Sequence, residues 1–244
     1  MNQLLVRATL LIARLGQQPE GLSLRALAAA TDIPPSTCVR VLRDLVALGW
    51  VDQHGPRGTY HLGPRATALS HEQPYRAALV TAAQPVVAQV ARTAQAQVLV
   101  AVLRGDRRLV LLRSEAGAGD PLTLSEEREL YASASGRLLI AHCTARARRR
   151  LVDALGLPPP RAWPGVLTWA DLTSACADIR KTGCEINCPQ DGPHNAVALA
   201  IPDGAGGTAA LAIGIAKERW EEAAALRLVR RAAARIARGL AKCA

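Results

Sequence analysis

Apolar and polar positions divide the chain into a short, closely punctuated front and a longer mixed remainder. Leu4, Leu5, Ala8, Leu11, Ile12 and Leu15 recur at helical spacing. They predict a first helix over residues 3–15, with Asn2 as its N-cap and Gly16 as its stop. Ser23 caps a second, short helix over 24–30, with Leu24, Leu27 and Ala28 inward. Thr31-Asp32-Ile33-Pro34 reads as a turn. Asp tolerates the left-handed backbone better than most residues, Pro34 blocks continuation, and Pro35 suits the first turn of a following helix. That third helix, 35–48, has two faces: Cys38, Val41, Leu42 and Leu45 toward a core, and Ser36, Arg40 and Arg43 opposite, with Thr37 beside them. Gly49 ends it. Residues 50–53 and 59–62 then form two strands around the tip His54-Gly55-Pro56-Arg57-Gly58, whose glycines and proline suit a turn.

Helix, helix, proline turn, amphipathic helix and basic-tipped hairpin, in that order, describe a winged helix-turn-helix, which places its third helix in a DNA groove. A plain helical bundle with solvated Ser and Arg explains each helix alone but not their order. Ser36 and Thr37 are short enough to let the helix approach closely, and Arg40 and Arg43 can reach guanine edges or phosphates. Arg40 is the preferred base reader and Arg43 serves base or phosphate. Arg57 at the wing apex, with Ser23 and Arg25 on the second helix, completes the candidate set.

Downstream, residues 63–73 read as a linker helix broken before Pro74, and 75–95 as an Ala-rich helix with a kink or boundary expected at Pro85. Strands at 97–104 and 107–114 flank the hairpin signal Gly105-Asp106. Residues 116–120 read as a loop and 121–124 as a weak strand. Ser133, Ser135 and Gly136 open a helix over 137–142, and Thr144 caps another over 145–155. The Arg146, Arg148, Arg149 and Arg150 of that helix read as a solvated face. A helix over 169–182, a hairpin of strands 195–201 and 208–215, and a final helix over 220–240 follow. The fold class is α+β: an N-terminal winged helix-turn-helix, then an antiparallel sheet domain with flanking helices.

GLSLRALAAATDIPPSTCVRVLRDLVALGWVDQ and GTYHLGPR resemble the DNA-binding domain of the IclR family of bacterial transcriptional regulators. Pro34, Ser36, Thr37, Arg40 and Leu42 match its recognition-helix motif, and Val41 stands where Leu is usual. Asp32 replaces the usual turn glycine. Pro35 replaces a polar or basic residue, which is expected to remove one DNA contact. ELYASASGRLLIAH (129–142), KTGCEIN (181–187) and NAVALAIPDGAGGTAALAIGIA (195–216) resemble parts of the family's effector domain.

The resemblance implies a ligand-responsive regulator with a GAF-like C-terminal domain. It implies a homodimer or homotetramer that reads a pseudopalindromic operator on double-stranded DNA and answers a small-molecule effector. The expected domains are 1–63 for DNA binding, 64–73 as linker helix, and 74–244 for effector binding and oligomerisation. Candidate effector residues are Ser133, Ser135, Gly136, Asn187, Cys188, Asn195, Ala212 and Gly214. Free amides at a helix start can hold a carboxylate at Ser135-Gly136, although Ser133 or Ser135 can equally be no more than a cap. Ala212 and Gly214 stand where the family often has hydroxyls, so the expected effector is an aromatic or other hydrophobic carboxylate.

Composition changes this picture little. Net charge is +10, which favours polyanionic partners, yet residues 1–70 hold seven Arg against four acids, so the excess is not concentrated in the front. There is no Phe and one Met, so the core rests on many small Ala, Leu and Val contacts. No apolar run approaches the roughly 20 residues that span a bilayer, and Arg7 and Arg14 interrupt the apolar start; a cytoplasmic protein with no membrane partner is expected. Cys38, Cys143, Cys176, Cys184, Cys188 and Cys243 are widely spread and read as thiols rather than a disulfide framework. Cys184 and Cys188, with His194 beyond, leave a thiol-redox or metal-sensing regulator as the alternative. Three ligands fall short of the four of structural zinc, so neither a metal site nor a cofactor is expected. G-x-S-x-G, H-E-x-x-H and a phosphate loop are absent, and Ser135 has no identifiable Asp–His pair. An enzyme is therefore the remote alternative, and no catalytic residue is assigned.

Overall fold

The computed structural model describes residues 2–55, 58–66, 68, 76–115 and 122–242. The chain divides into two compact units, Met1–Tyr75 and Arg76–Ala244.

The first unit holds α1 (Gln3–Gly16), α2 (Leu24–Thr31), α3 (Pro35–Ala47) and a hairpin of β1 (Val51–Gln53) and β2 (Tyr60–Leu62). Local chemistry sets the helix starts. The Asn2 side chain accepts from the Leu4 N–H, the Ser23 hydroxyl accepts from Ala26, and Pro35 occupies the first turn of α3. Asp32 closes α2 in the left-handed region at φ 53°, ψ 35°, so the residue that replaces a turn glycine adopts the backbone the turn demands. Leu11, Leu15, Leu27, Cys38, Val41, Leu42, Leu45 and Val51 form the core. Leu4 and Leu5, expected inward, are 47% and 64% exposed. α1 is about 21 Å long against about 12 Å for α2, and its contribution to the core begins at Ala8 rather than at its first turn. Leu22 and Tyr60 exchange backbone hydrogen bonds of 2.9 and 2.8 Å, tying the start of α2 to the wing. Helical backbone follows Gly63 at residues 64–66 and 68; the rest of the expected linker helix, and Arg57, lie outside the described residues.

The second unit runs α4 (Ala77–Ala94), β3 (Gln97–Arg104), β4 (Arg107–Ser114), β5 (Leu122–Glu127), α5 (Ala134–His142), α6 (Ala145–Leu155), α7 (Trp169–Thr182), β6 (Cys184–Asn187), β7 (His194–Pro202), β8 (Thr208–Ala216), a 3-10 turn (Lys217–Arg219) and α8 (Glu222–Ala241). The six strands form one antiparallel sheet in the order β5-β4-β3-β8-β7-β6. Side chains alternate across it. Val98, Val100, Val102, Val197, Leu211 and Ile213 pack with α4 and α8. Leu99, Ala101, Val110, Ala198, Ala210 and Ala212 pack with α5 and α7. The second face is rich in Ala, which lets α5 lie close to the strands. α4 continues through Pro85 as one helix.

The strand expected at 121–124 extends to Glu127 as β5, and two further departures bear on the site. α5 begins at Ala134, three residues earlier than expected, because Ser133 caps it by accepting from the Gly136 N–H at 3.1 Å. Arg148, expected in solvent, is buried. Its guanidinium donates to the carbonyls of Ile140, Ala141 and Cys143 at 3.0–3.2 Å, and Arg180 adds a 2.7 Å bond to Ala141. The last carbonyls of a helix lack intrahelical partners, and these two arginines supply them for α5. Arg146, Arg149 and Arg150 are exposed as expected.

Candidate functional site

Two surfaces carry the chemistry, one in each unit. In the first, α3 buries Cys38, Val41, Leu42 and Leu45 and turns Ser36, Arg40 and Arg43 outward, with Thr37 half-buried between. Val39, 45% exposed, lies among them; the helical pattern alone does not single it out. Arg43 approaches Asp44 at 3.6 Å, but both are largely exposed and such a pair is weak and readily exchanged for another anion. Ser23, Arg25, Val39 and Arg43 rim a groove of about 620 Å³ between α2, α3 and the wing. The Ser23 hydroxyl already serves as the cap of α2.

In the second unit a cavity of about 210 Å³ brings together Ser133, Ser135, Asn187, Ala212 and Gly214. Its floor is small and apolar: Leu99, Ala196, Ala212 and Gly214. Its polar wall includes four residues not expected from the sequence, Arg108 and Arg113 of β4 with Gln97 and His194. Arg108, 7% exposed, donates through Nη1 to the hydroxyls of Ser133 at 2.8 Å and Ser135 at 2.5 Å, and through Nη2 to Glu127. Arg113 donates to the other carboxylate oxygen of Glu127. Burial pushes the Glu127 carboxyl up, but Arg108 and Arg113 outweigh it and hold the group below its ordinary value. Two guanidinium groups share one carboxylate, so the wall keeps a net positive charge. The Nε of each arginine is buried without a hydrogen-bond partner.

Arg108 and Arg113 are five residues apart, so a regular strand would place them on opposite faces. β4 carries one extra residue against β3: Val100 pairs with Leu112 and Ala101 with Val110, leaving Leu111 unpaired. Leu111 and Leu112 both turn to the α4/α8 side, and the bulge aims Arg113 to the side of Arg108.

Three expected members of this site are elsewhere. Gly136 does not line the cavity. A Cβ there would stand 2.1 Å from the Leu130 carbonyl oxygen, so this glycine serves the close approach of α5 to the preceding chain, and its N–H is taken by Ser133. Asn195 pairs with Ile215 on the α4/α8 face, while its neighbour Ala196 points into the cavity. Cys188 lines a separate, larger groove.

The profile described as the IclR helix-turn-helix domain matches residues 4–55, and that described as bacterial transcriptional regulator IclR C-terminal matches residues 73–238. The chain belongs to the IclR family of bacterial transcriptional regulators. This IclR-family chain is similar to the HTH-type transcriptional regulator TtgV of Pseudomonas putida, with 28% identity over 183 residues covering 74% of this chain and 69% of that protein. It is 31% identical over 147 residues to the HTH-type transcriptional regulator Rv1719 of Mycobacterium tuberculosis, covering 57% of this chain and 54% of that protein, about half its length. Among solved structures it resembles an IclR homologue from Microbacterium hydrocarbonoxydans complexed with 4-hydroxybenzoate, at a TM-score of 0.76 and 21% identity, covering 98% and 100% of the two chains. That last likeness is one of fold. The protein is an IclR-type transcriptional regulator, whose partners are DNA and a small-molecule effector. The relatives bear the names of transcriptional regulators, which sets the enzyme reading aside.

Cys38, Cys143, Cys176, Cys184 and Cys188 are free thiols, and Cys243 lies outside the described residues. Among the described residues no group of three or more His, Cys, Asp or Glu is arranged to hold a metal ion. Cys188 is exposed, but partial burial and nearby Glu222 push its thiol up, away from the thiolate a sensor needs. Among the described residues no helix is long and apolar enough to cross a membrane.

Proposed function

We propose that the effector is a small carboxylate with an aromatic or otherwise apolar body, anchored by Arg108 and Arg113, and that it controls operator binding through α3. The observation that carries this reading is the sharing of one carboxylate, Glu127, by two arginines above an Ala–Gly floor without hydroxyls. Two guanidinium groups set against one carboxylate leave a positive charge uncompensated, and an incoming carboxylate supplies the missing negative charge and accepts charge-assisted hydrogen bonds. The 4-hydroxybenzoate bound to the Microbacterium homologue belongs to the same chemical class.

In this reading residues 1–63 bind DNA, 64–73 connect, and 74–244 bind effector and mediate self-association as a homodimer or homotetramer. Ser36, Thr37 and Arg40 enter the groove, Arg43, Ser23, Arg25 and Arg57 meet phosphate or the flanking groove, and Val39 packs on a thymine methyl. Two copies then read pseudopalindromic half-sites spaced by about 34 Å or a multiple.

Calorimetric titration with benzoate, 4-hydroxybenzoate and glyoxylate tests the effector class. The aromatic acids are expected to bind saturably, and Arg108→Gln to weaken them at least tenfold. Binding of glyoxylate alone, or equal binding by the variant, overturns the reading.

A further inference from the structure

The cavity beneath Arg108 is small for the site of a regulator. Ligand sites run to roughly 300–1,000 Å³, and this one encloses about 210 Å³. It shares three wall residues, Ala132, Asn187 and Pro189, with a second groove of about 990 Å³. Asn187 stands between the two. It is 8% exposed, and its side-chain amide donates to the Ala132 carbonyl at 2.8 Å, bridging the end of β6 to the segment that leads into α5.

The larger groove is built for an apolar body rather than a second charge. Pro160, Trp163 and Pro164 form one side, and Ile186 and Pro189 the other. Arg137 also lines it, but every nitrogen of that guanidinium is engaged: Nε with the Tyr131 carbonyl, Nη1 with Glu185 and Nη2 with the Ala162 carbonyl. The same group lies 5.3 Å from the centre of the Trp163 ring. It therefore fixes the indole and supplies no free anion site. Arg161, Gln190 and Asp191 are exposed at the mouth.

We infer that the two cavities form one bipartite effector site: the carboxylate is held at Arg108, and an elongated aromatic body extends past Asn187 into the groove against Trp163. Asn187 is then the residue that sets ligand length. With the Asn187–Ala132 bond in place the inner cavity takes one ring, and when the side chain swings aside a second ring passes. This rests on the reading of Arg108 as the carboxylate anchor. The effector class it specifies is a monocarboxylate carrying two linked aromatic rings, in preference to a single-ring acid.

The test is calorimetry on the full-length protein with benzoate and biphenyl-4-carboxylate. Wild type is expected to bind the two-ring acid at least tenfold more tightly. Cys188→Trp, which adds bulk at an exposed position on the groove wall, is expected to weaken the two-ring acid at least tenfold and to leave benzoate within twofold. Asn187→Ala is expected to raise the preference for the longer acid at least threefold. Equal affinities for the two acids in wild type, or a Cys188→Trp effect that falls on both alike, overturns the bipartite site. Benzoate binding without any gain for the longer acid removes the groove and leaves the anchor standing. Failure of benzoate to bind wild type removes the anchor, and the groove with it.

Discussion

Arg108 of β4 donates to the hydroxyl of Ser135, the second residue of α5, at 2.5 Å across 27 positions of sequence. The same guanidinium reaches Ser133, the cap of that helix, and Glu127 of β5. One side chain thus fastens three elements at the polar wall of the cavity, and a ligand that engages it is coupled mechanically to the start of α5.

Ser135→Ala removes one acceptor from a guanidinium with little access to water. The expected loss of stability is about 1–3 kcal/mol, read as a lower urea midpoint. A midpoint indistinguishable from wild type would show the hydroxyl to be a spectator.

Gly136→Ala forces a methyl against the Leu130 backbone, where no side chain can yield. Overpacking of this kind costs about 1–3 kcal/mol, and a backbone obstacle puts it at the upper end. Thermal unfolding should show a clear drop, with DNA affinity of the still-folded fraction unchanged. A melting temperature equal to wild type contradicts the packing role.

Arg40→Ala should cost about 1–3 kcal/mol in operator affinity and relax discrimination at one base position. Arg43→Ala should weaken operator and non-operator DNA alike and reduce the salt slope by about one. Mobility-shift titrations at several salt concentrations separate the two, and full retention of specificity by Arg40→Ala would sink its assignment as base reader.

Acid should act through Glu127. Its folded-state pKa lies below the ordinary value, so its contribution is complete above the unfolded value and is lost as pH falls through the folded one. Glu185 has the opposite sign. Burial raises it more than the 3.0 Å ion pair with Arg137 lowers it, so it costs stability above its folded value and that cost is relieved on acidification. Urea unfolding of wild type and Glu127→Gln from neutral pH down to about pH 3 should give a shallower acid-side decline in the variant. Parallel declines would remove Glu127 from the account.

Much of the architecture was legible because it follows short-range rules. A period of 3.6 placed Cys38, Val41, Leu42 and Leu45 inward on α3, and Asn2, Ser23, Thr144 and Thr168 cap their helices as their chemistry dictates. The strands flanking Gly105-Asp106 fall at Gln97–Arg104 and Arg107–Ser114, where the apolar runs and the turn dipeptide put them. The effector side was legible only in part. Ser133, Ser135, Asn187, Ala212 and Gly214 do share one cavity, whereas Gly136, Cys188 and Asn195 do not line it.

The sequence by itself determined the helix faces, the caps, the hairpins and the small apolar character of the sheet face beneath α5, because each depends on residues a few positions apart. Only the tertiary structure decided which charges meet. Arg148 is indistinguishable by pattern from the solvated arginines beside it; it is buried because the last turn of α5 offers it unpaired carbonyls. Arg113 belongs on the face opposite Arg108 by strict alternation. It joins Arg108 because β4 pairs with β3 through a bulge at Leu111, and the register between two strands is a property of their pairing that neither strand carries alone.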